Sequence, residues 1–166
     1  MAGRRSAARQ YAVLALYEWR IGGLPIEDIL RHYFDDPVWV EAVAKGLSDE
    51  GESAPGEGVG GADYDRQLFH QLLVGVAEHA DAIDETLRPW LDRPLLSVDP
   101  VERAILSVGT YELLFSPQLP VGVVLNECIE LAKRFGAEQS HRYVNGVLDK
   151  LARQVRRDEL SAKSPA

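Results

Sequence analysis

One cysteine, Cys128, and one methionine are all the sulfur in this 166-residue chain. A single thiol cannot form an intrachain disulfide, which fits a reducing compartment. No apolar run approaches the ~20 residues that would span a bilayer. The N-terminus carries arginines but no continuous apolar stretch of the signal-peptide kind, so the expected address is cytoplasmic. Four histidines, His32, His70, His79 and His141, share no metal-ligand spacing with one another or with Cys128. The glycines never fall in a GxxxxGK[ST] setting, which excludes the common phosphate-binding loop. Cys128 sits on an apolar helix face with no histidine near it in sequence, and reads as a small core filler. No nucleophile, base and oxyanion site assemble. We therefore expect no catalysis, no metal and no cofactor.

Charge is plentiful but uneven. The chain carries a net charge of -8. Residues 1–20 hold four arginines against one glutamate, and residues 133–157 hold seven basic side chains against two acidic ones. Between them, residues 21–132 hold twenty-one acids and six bases. Such a surface repels polyanions broadly, yet it can bind one where the basic ends meet. Basic helix ends are also simply solubilising, so charge alone leaves nucleic-acid binding open.

The periodicity is helical throughout, with no sustained alternation of period two. Residues 4–21 predict a helix that is apolar nearly all round from Tyr11 to Trp19, stopped by Gly22 and Gly23. PIEDILRHYF predicts a short helix with Ile26, Ile29, Leu30 and Phe34 as its stripe. Residues 37–47 predict another. Residues 46–63 are glycine-rich and acidic and read as a mobile loop. Residues 64–91 predict a helix buried through Leu68, Leu72, Leu73, Val76, Ile83 and Leu87, with His79 facing away. Asp99-Pro100 is a helix start, Asp as the cap and Pro at the first position. Residues 121–135 form an amphipathic helix ending at Gly136, with Glu130 able to face Arg134. The last helix is expected from about Ala137. Val144, Val147, Leu148, Leu151 and Val155 form its buried stripe, Arg142, Arg153 and Arg156 point the opposite way, and Gly146 permits a close helix contact. The tail 158–166 is expected to be flexible. The fold class is all-α, with about six or seven helices.

Two groups carry binding chemistry. Arg4 precedes the first helix, and Arg5 and Arg9 stand at i,i+4 on its opening turns. Cations there oppose the helix dipole, and a phosphate partner would reverse that penalty. Past Gly136, Gln139, Ser140, His141, Arg142 and Tyr143 supply amide, hydroxyl, cationic and aromatic groups within one turn. Single-stranded RNA recognition needs that set.

The segment LNECIELAKRFGAEQSHRYVNGVLDK, Leu125–Lys150, resembles the INEAIELAKxFGxxxSHxFVNGVLDK pattern of the bacterial NusB family. RRSAARQYAVLALY at Arg4–Tyr17 and DPVERAILSVGTYELLF at Asp99–Phe115 resemble two further family segments. The resemblance implies a single NusB-like domain over 1–157, about seven helices in two packed bundles. It implies transcription antitermination through the single-stranded boxA element of nascent ribosomal RNA. The implied partners are the ribosomal small-subunit protein NusE, then NusA, NusG and RNA polymerase, with a homodimer also open. On the motifs, the RNA side comprises Arg4, Arg5, Arg9, Tyr17, Lys133, Gln139, Arg142 and Tyr143. Trp90 and Glu102 fall on the NusE side. Members often carry an acid at the place of Gln139 and phenylalanine at that of Tyr143, so phosphate repulsion should lessen here and a stacking face remain. The 46–63 loop resembles an insertion. Two rival readings are an RNA-binding domain of the kind fused to rRNA cytosine methyltransferases, and a helical protein-interaction module with no RNA role.

Overall fold

Seven α-helices form among the described residues, and each boundary has a local cause. The computed structural model describes residues 3–36, 42, 45 and 63–157. The expected helix over 37–47 and loop over 46–63 fall outside that set, apart from residues 42 and 45, both helical, and 63. The tail from 158 lies outside it as well. Helix α1 is Arg4–Gly22, α2 Ile26–Asp35, α3 Arg66–Glu78 and α4 Ala80–Leu87. After two short 3-10 turns, Arg88–Trp90 and Leu95–Ser97, come α5 Pro100–Phe115, α6 Val121–Phe135 and α7 Ser140–Val155. No strand occurs among the described residues, so the all-α expectation holds for them. None of these helices is long and apolar enough to cross a membrane.

The chain divides into two units, one within Met1–Ala77 and one within Glu78–Ala166. In the first, α1 ends at Gly23, whose φ of 71° closes the helix in the left-handed region that favours glycine. The core of this unit is aromatic. The Tyr11 ring meets Tyr64 at 4.7 Å and Tyr33 at 5.7 Å between centroids, both edge-on, and Phe69 meets Tyr33 at 4.7 Å. Edge-to-face packing of this kind places the positive rim of one ring on the negative face of the next. All four rings are buried, and the Tyr64 hydroxyl donates to the Tyr33 carbonyl at 3.1 Å. Burial pushes the Tyr11 phenol up to about 12. The stripe expected for α2 needs correction: Ile29 and Tyr33 are its buried residues, while Ile26, Leu30 and Phe34 are half-buried.

The second unit is built round α5, which is buried through ten consecutive residues, Ala104–Leu113. It packs against α4, α6 and α7, and α6 packs against α7. A helix with partners on several sides is largely apolar all round, and here only Ser107, Thr110 and Glu112 interrupt the buried apolar run. Its start follows the expected chemistry: the Asp99 carboxylate accepts from the amides of Val101 at 2.9 Å and Glu102 at 3.1 Å, with Pro100 in the first turn. A Cβ at Gly109 would lie 2.8 Å from a Leu148 methyl and 2.9 Å from Cys128 Sγ. A larger residue there would have to push the Leu148 and Cys128 side chains aside, so glycine suits the close packing of α6 and α7 on α5. The close contact expected at Gly146 does not exist, because nothing lies near that exposed position. Cys128 is a buried core filler, as expected.

Two further expectations are corrected. The single helix predicted over 64–91 breaks at His79, between α3 and α4, and the His79 ring stacks on Phe115 at 4.3 Å. Arg156 does not point outward. Its buried guanidinium donates to the carbonyls of Leu113 at 2.7 Å, Leu119 at 2.9 Å, Ser116 at 3.0 Å and Glu112 at 3.2 Å. The last turn of any helix leaves carbonyls without intrahelical partners. One cation here satisfies those of α5 and the turn that follows, at the negative end of the helix dipole.

Candidate nucleic-acid interface

The N-terminal group is held by acids of its own unit. Arg4 Nε pairs with Asp63 at 2.8 Å, Arg4 Nη2 donates to the Tyr64 carbonyl at 3.2 Å, and Arg5 lies 3.7 Å from Asp65. The Asp65 amide donates to the Arg4 carbonyl at 3.0 Å, which pins residues 63–65 beside the start of α1. Gly3 caps that start without a side-chain bond, and the first turn holds no acid. Asp63 and Asp65 therefore offset the dipole penalty that the sequence left to an external phosphate. Both arginines stay largely exposed, and exposed pairs of this sort contribute only about 0–1 kcal/mol, so a phosphate can replace the carboxylates. Arg9 is a correction. It is 2% exposed and has an interaction partner inside the chain. The i,i+4 face expected for Arg5 and Arg9 is not exposed as a pair, because α1 is enclosed from Ala7 to Val13. Tyr17 is exposed at 40%.

The second group occupies the turn between α6 and α7. Helix α7 begins at Ser140, three residues later than expected, with Gln139 as its exposed cap. The chain reverses through Gly136. A Cβ there would lie 2.5 Å from Ser140 Cβ and 2.8 Å from the Ala132 carbonyl oxygen, so this reversal requires glycine. The Ser140 hydroxyl donates to Glu102 at 2.7 Å, tying the first residue of α7 to the first turn of α5. That bond occupies an oxygen of the carboxylate that the motifs assign to a protein partner. Arg142 and Lys133 are exposed, and Tyr143 and Trp90 are half-buried.

Tyr143 carries a neighbour that sequence reading missed. The Arg93 guanidinium lies over its ring, 4.9 Å from the centroid. Arg93 in turn forks onto Asp92, Nε to Oδ1 at 2.7 Å and Nη2 to Oδ2 at 3.1 Å. That hydrogen bonding holds the Asp92 carboxyl below and the Arg93 guanidinium above their ordinary values. Burial, and then the Asp92 charge, push the Tyr143 phenol up. Its hydroxyl is buried and makes no hydrogen bond of regular geometry among the described residues. The only sequence signal for Arg93 was its being one of six bases in the acidic middle of the chain. Fifty residues separate it from Tyr143.

Within their own units, then, Arg4, Arg5 and Tyr17 are exposed on α1, while Lys133, Gln139, Arg142 and Tyr143 gather about the α6–α7 turn. Among the described residues, no group of three His, Cys, Asp or Glu side chains is placed to hold a metal ion. The chemistry available is cation, amide and ring: contacts to phosphate, base edge and base face.

The model of the NusB family matches residues 6–153. The transcription antitermination protein NusB of Nitrosococcus oceani is 43% identical over 164 residues, covering 99% of this chain and 95% of that protein. Its counterpart in Alkalilimnicola ehrlichii is 43% identical over 149 residues, covering 90% and 81%. Among solved structures, T. maritima NusB superposes with a TM-score of 0.67 at 24% identity, covering 97% of this chain and 99% of that one. A complex of the antitermination factors NusB and NusE with double-stranded RNA gives 0.67 at 23% identity, covering 93% and 99%.

Proposed function

The chain belongs to the NusB family, and from that membership we propose that it is a transcription antitermination factor. It binds boxA RNA of nascent ribosomal transcripts together with NusE, and the pair joins NusA, NusG and RNA polymerase in the cytoplasm. It works by binding and positioning RNA, without catalysis. The observation that carries the reading is a family match spanning 6–153, with a relative 43% identical over 95% of its own length.

The site supports the same reading residue by residue. Arg4 and Arg5 present largely exposed guanidinium groups, each held by an ion pair and Arg4 also by a part-buried hydrogen bond to the Tyr64 carbonyl. Gln139 and Arg142 are exposed at the opening of α7, and Tyr143 has a ring face beside them. Arg9 acts from within, as a buried charge that supports α1, and not as a phosphate contact. Trp90 remains the choice for the NusE side. Glu102 joins it there only through what the Ser140 bond leaves free. The acidic middle of the chain suits a basic ribosomal protein.

The test is fluorescence anisotropy of labelled boxA RNA, titrated with this protein alone and with NusE, beside a scrambled RNA. Tighter binding to boxA, strengthened by NusE and weakened by salt, is the expected result. Equal weak binding to both RNAs, unaltered by NusE, would sink the reading and leave a helical module serving another partner.

A further inference from the structure

Joined to Tyr143 through Arg93, and lined by none of the residues assigned above to RNA or to a protein partner, an open cleft of about 500 Å³ lies in the second unit. That is within the range of clefts that accept small ligands or parts of larger ones. Arg88, Arg93 and Arg103 line it, with Asp84, and Leu96 stands at the same wall, 88% exposed. The three arginines differ in how they are held. Arg103 pairs with Asp84 at 3.2 Å, both mostly buried, and each keeps one buried polar atom without a hydrogen-bond partner: Arg103 Nε and Asp84 Oδ1. Arg93 is tethered to its neighbour Asp92, an exposed pair that a competing anion can replace. Arg88 is exposed, and no carboxylate among the described residues pairs with it. With Asp84 neutralised by Arg103, the cleft keeps the charge of Arg88 and a share of that of Arg93.

Arg93 belongs to this cleft and also covers the Tyr143 ring. A nucleotide that takes the place of the Arg93 guanidinium on the Tyr143 ring would leave that cation free for its neighbouring phosphate, with Arg88 next along the wall. We propose that this cleft is a phosphate subsite that extends the RNA face: Arg93 and Arg88 bind the backbone of nucleotides flanking the one held at Tyr143, and Leu96 offers an apolar rest for a sugar or base. The inference rests on the RNA reading above and adds a place for RNA that the motif residues do not cover. Continuity through Arg93 favours RNA over an acidic protein segment as the occupant.

The experiment is the boxA anisotropy titration repeated across a salt series with Arg88→Ala, Arg93→Ala and Arg88→Lys in the full chain. Arg5→Ala reports on the RNA reading itself, and Arg153→Ala, an exposed arginine near the end of α7, serves as a charge-matched control. Each phosphate contact to a single strand contributes about 0.7 to the slope of log affinity against log salt. Arg88→Ala and Arg93→Ala should each weaken binding about 3- to 10-fold and flatten the slope by about that amount. Arg88→Lys should restore most of the slope, and Arg153→Ala should change neither quantity. On RNA trimmed to the boxA core, the Arg88→Ala effect should vanish. If Arg5→Ala weakens binding while Arg88→Ala and Arg93→Ala keep the wild-type slope, the subsite is overturned and the RNA reading stands. If Arg88→Ala loosens NusE capture without touching RNA affinity, the occupant is a protein segment and the subsite is equally overturned. If the wild-type chain shows no preference for boxA, it is the reading beneath that has failed.

Discussion

The two units solve the same problem with different materials. The first fills its interior with tyrosine and phenylalanine rings, each edge resting on a neighbouring face, and satisfies a buried phenol by a bond to a backbone carbonyl. The second packs aliphatic side chains round α5, draws its helices together at Gly109, and closes the end of α5 with the four-carbonyl grip of Arg156. Rings bring a polar group into the core with them. Aliphatics do not, and at the end of α5 the polar demand that remains is that of backbone carbonyls, which one cation meets.

If that contrast is sound, the largest effect of substitution belongs to Arg156. Its replacement by Ala removes the guanidinium donor from four carbonyls, of which those of Glu112 and Ser116 keep a backbone amide, and should cost about 3 kcal/mol, read as a lowered urea midpoint. Arg156→Lys should recover only part of this, since an ammonium lacks the planar fork. Next comes Gly136→Ala, where the added methyl meets Ser140 and the Ala132 carbonyl. A loss of about 1–3 kcal/mol is expected. Because the opening of α7 must shift, boxA affinity should fall with it. Affinity unchanged at equal loss of stability would separate the turn from the RNA face.

In the first unit, Tyr64→Phe keeps the ring packing and removes the bond to the Tyr33 carbonyl. Chemical denaturation should show a loss of about 1 kcal/mol, well below the Arg156 effect. The reverse order would break the contrast drawn here. The last effect concerns pH. Burial pushes the Glu18 carboxyl up from 4.5 to about 7. The fold thus prefers the protonated acid, and the stability this contributes is complete below about 4.5 and is lost as pH rises toward 7. Glu18→Gln should flatten the stability profile across that window, and an unchanged profile would remove Glu18 as its source.

Much of the fold was legible because helix signals are local. Asp99-Pro100 started a helix where its chemistry said one should start, and Leu68, Leu72, Leu73, Val76, Ile83 and Leu87 proved buried as their spacing required. The break at His79 was missed, since no glycine or proline marks it. The candidate site was legible only in outline. A basic residue in a sequence is a unit of charge with no address. Arg5 and Arg9 looked equivalent at i,i+4, yet one is exposed and the other enclosed. Arg156 looked like surface charge, and its acceptors lie some forty residues away at the end of another helix.

Caps, stops and buried spacing are decided within about one helical turn, so the amino-acid order alone determined an all-helical chain, most helix starts and ends, the aliphatic positions of the core and the family. Which arginine meets phosphate, which meets a carboxylate of the same chain and which closes a helix end was decided only by tertiary structure. A guanidinium on a long flexible stem takes whatever acceptor the packing of distant segments brings within reach, as Asp63 does for Arg4, the end of α5 for Arg156, and the Tyr143 ring for Arg93.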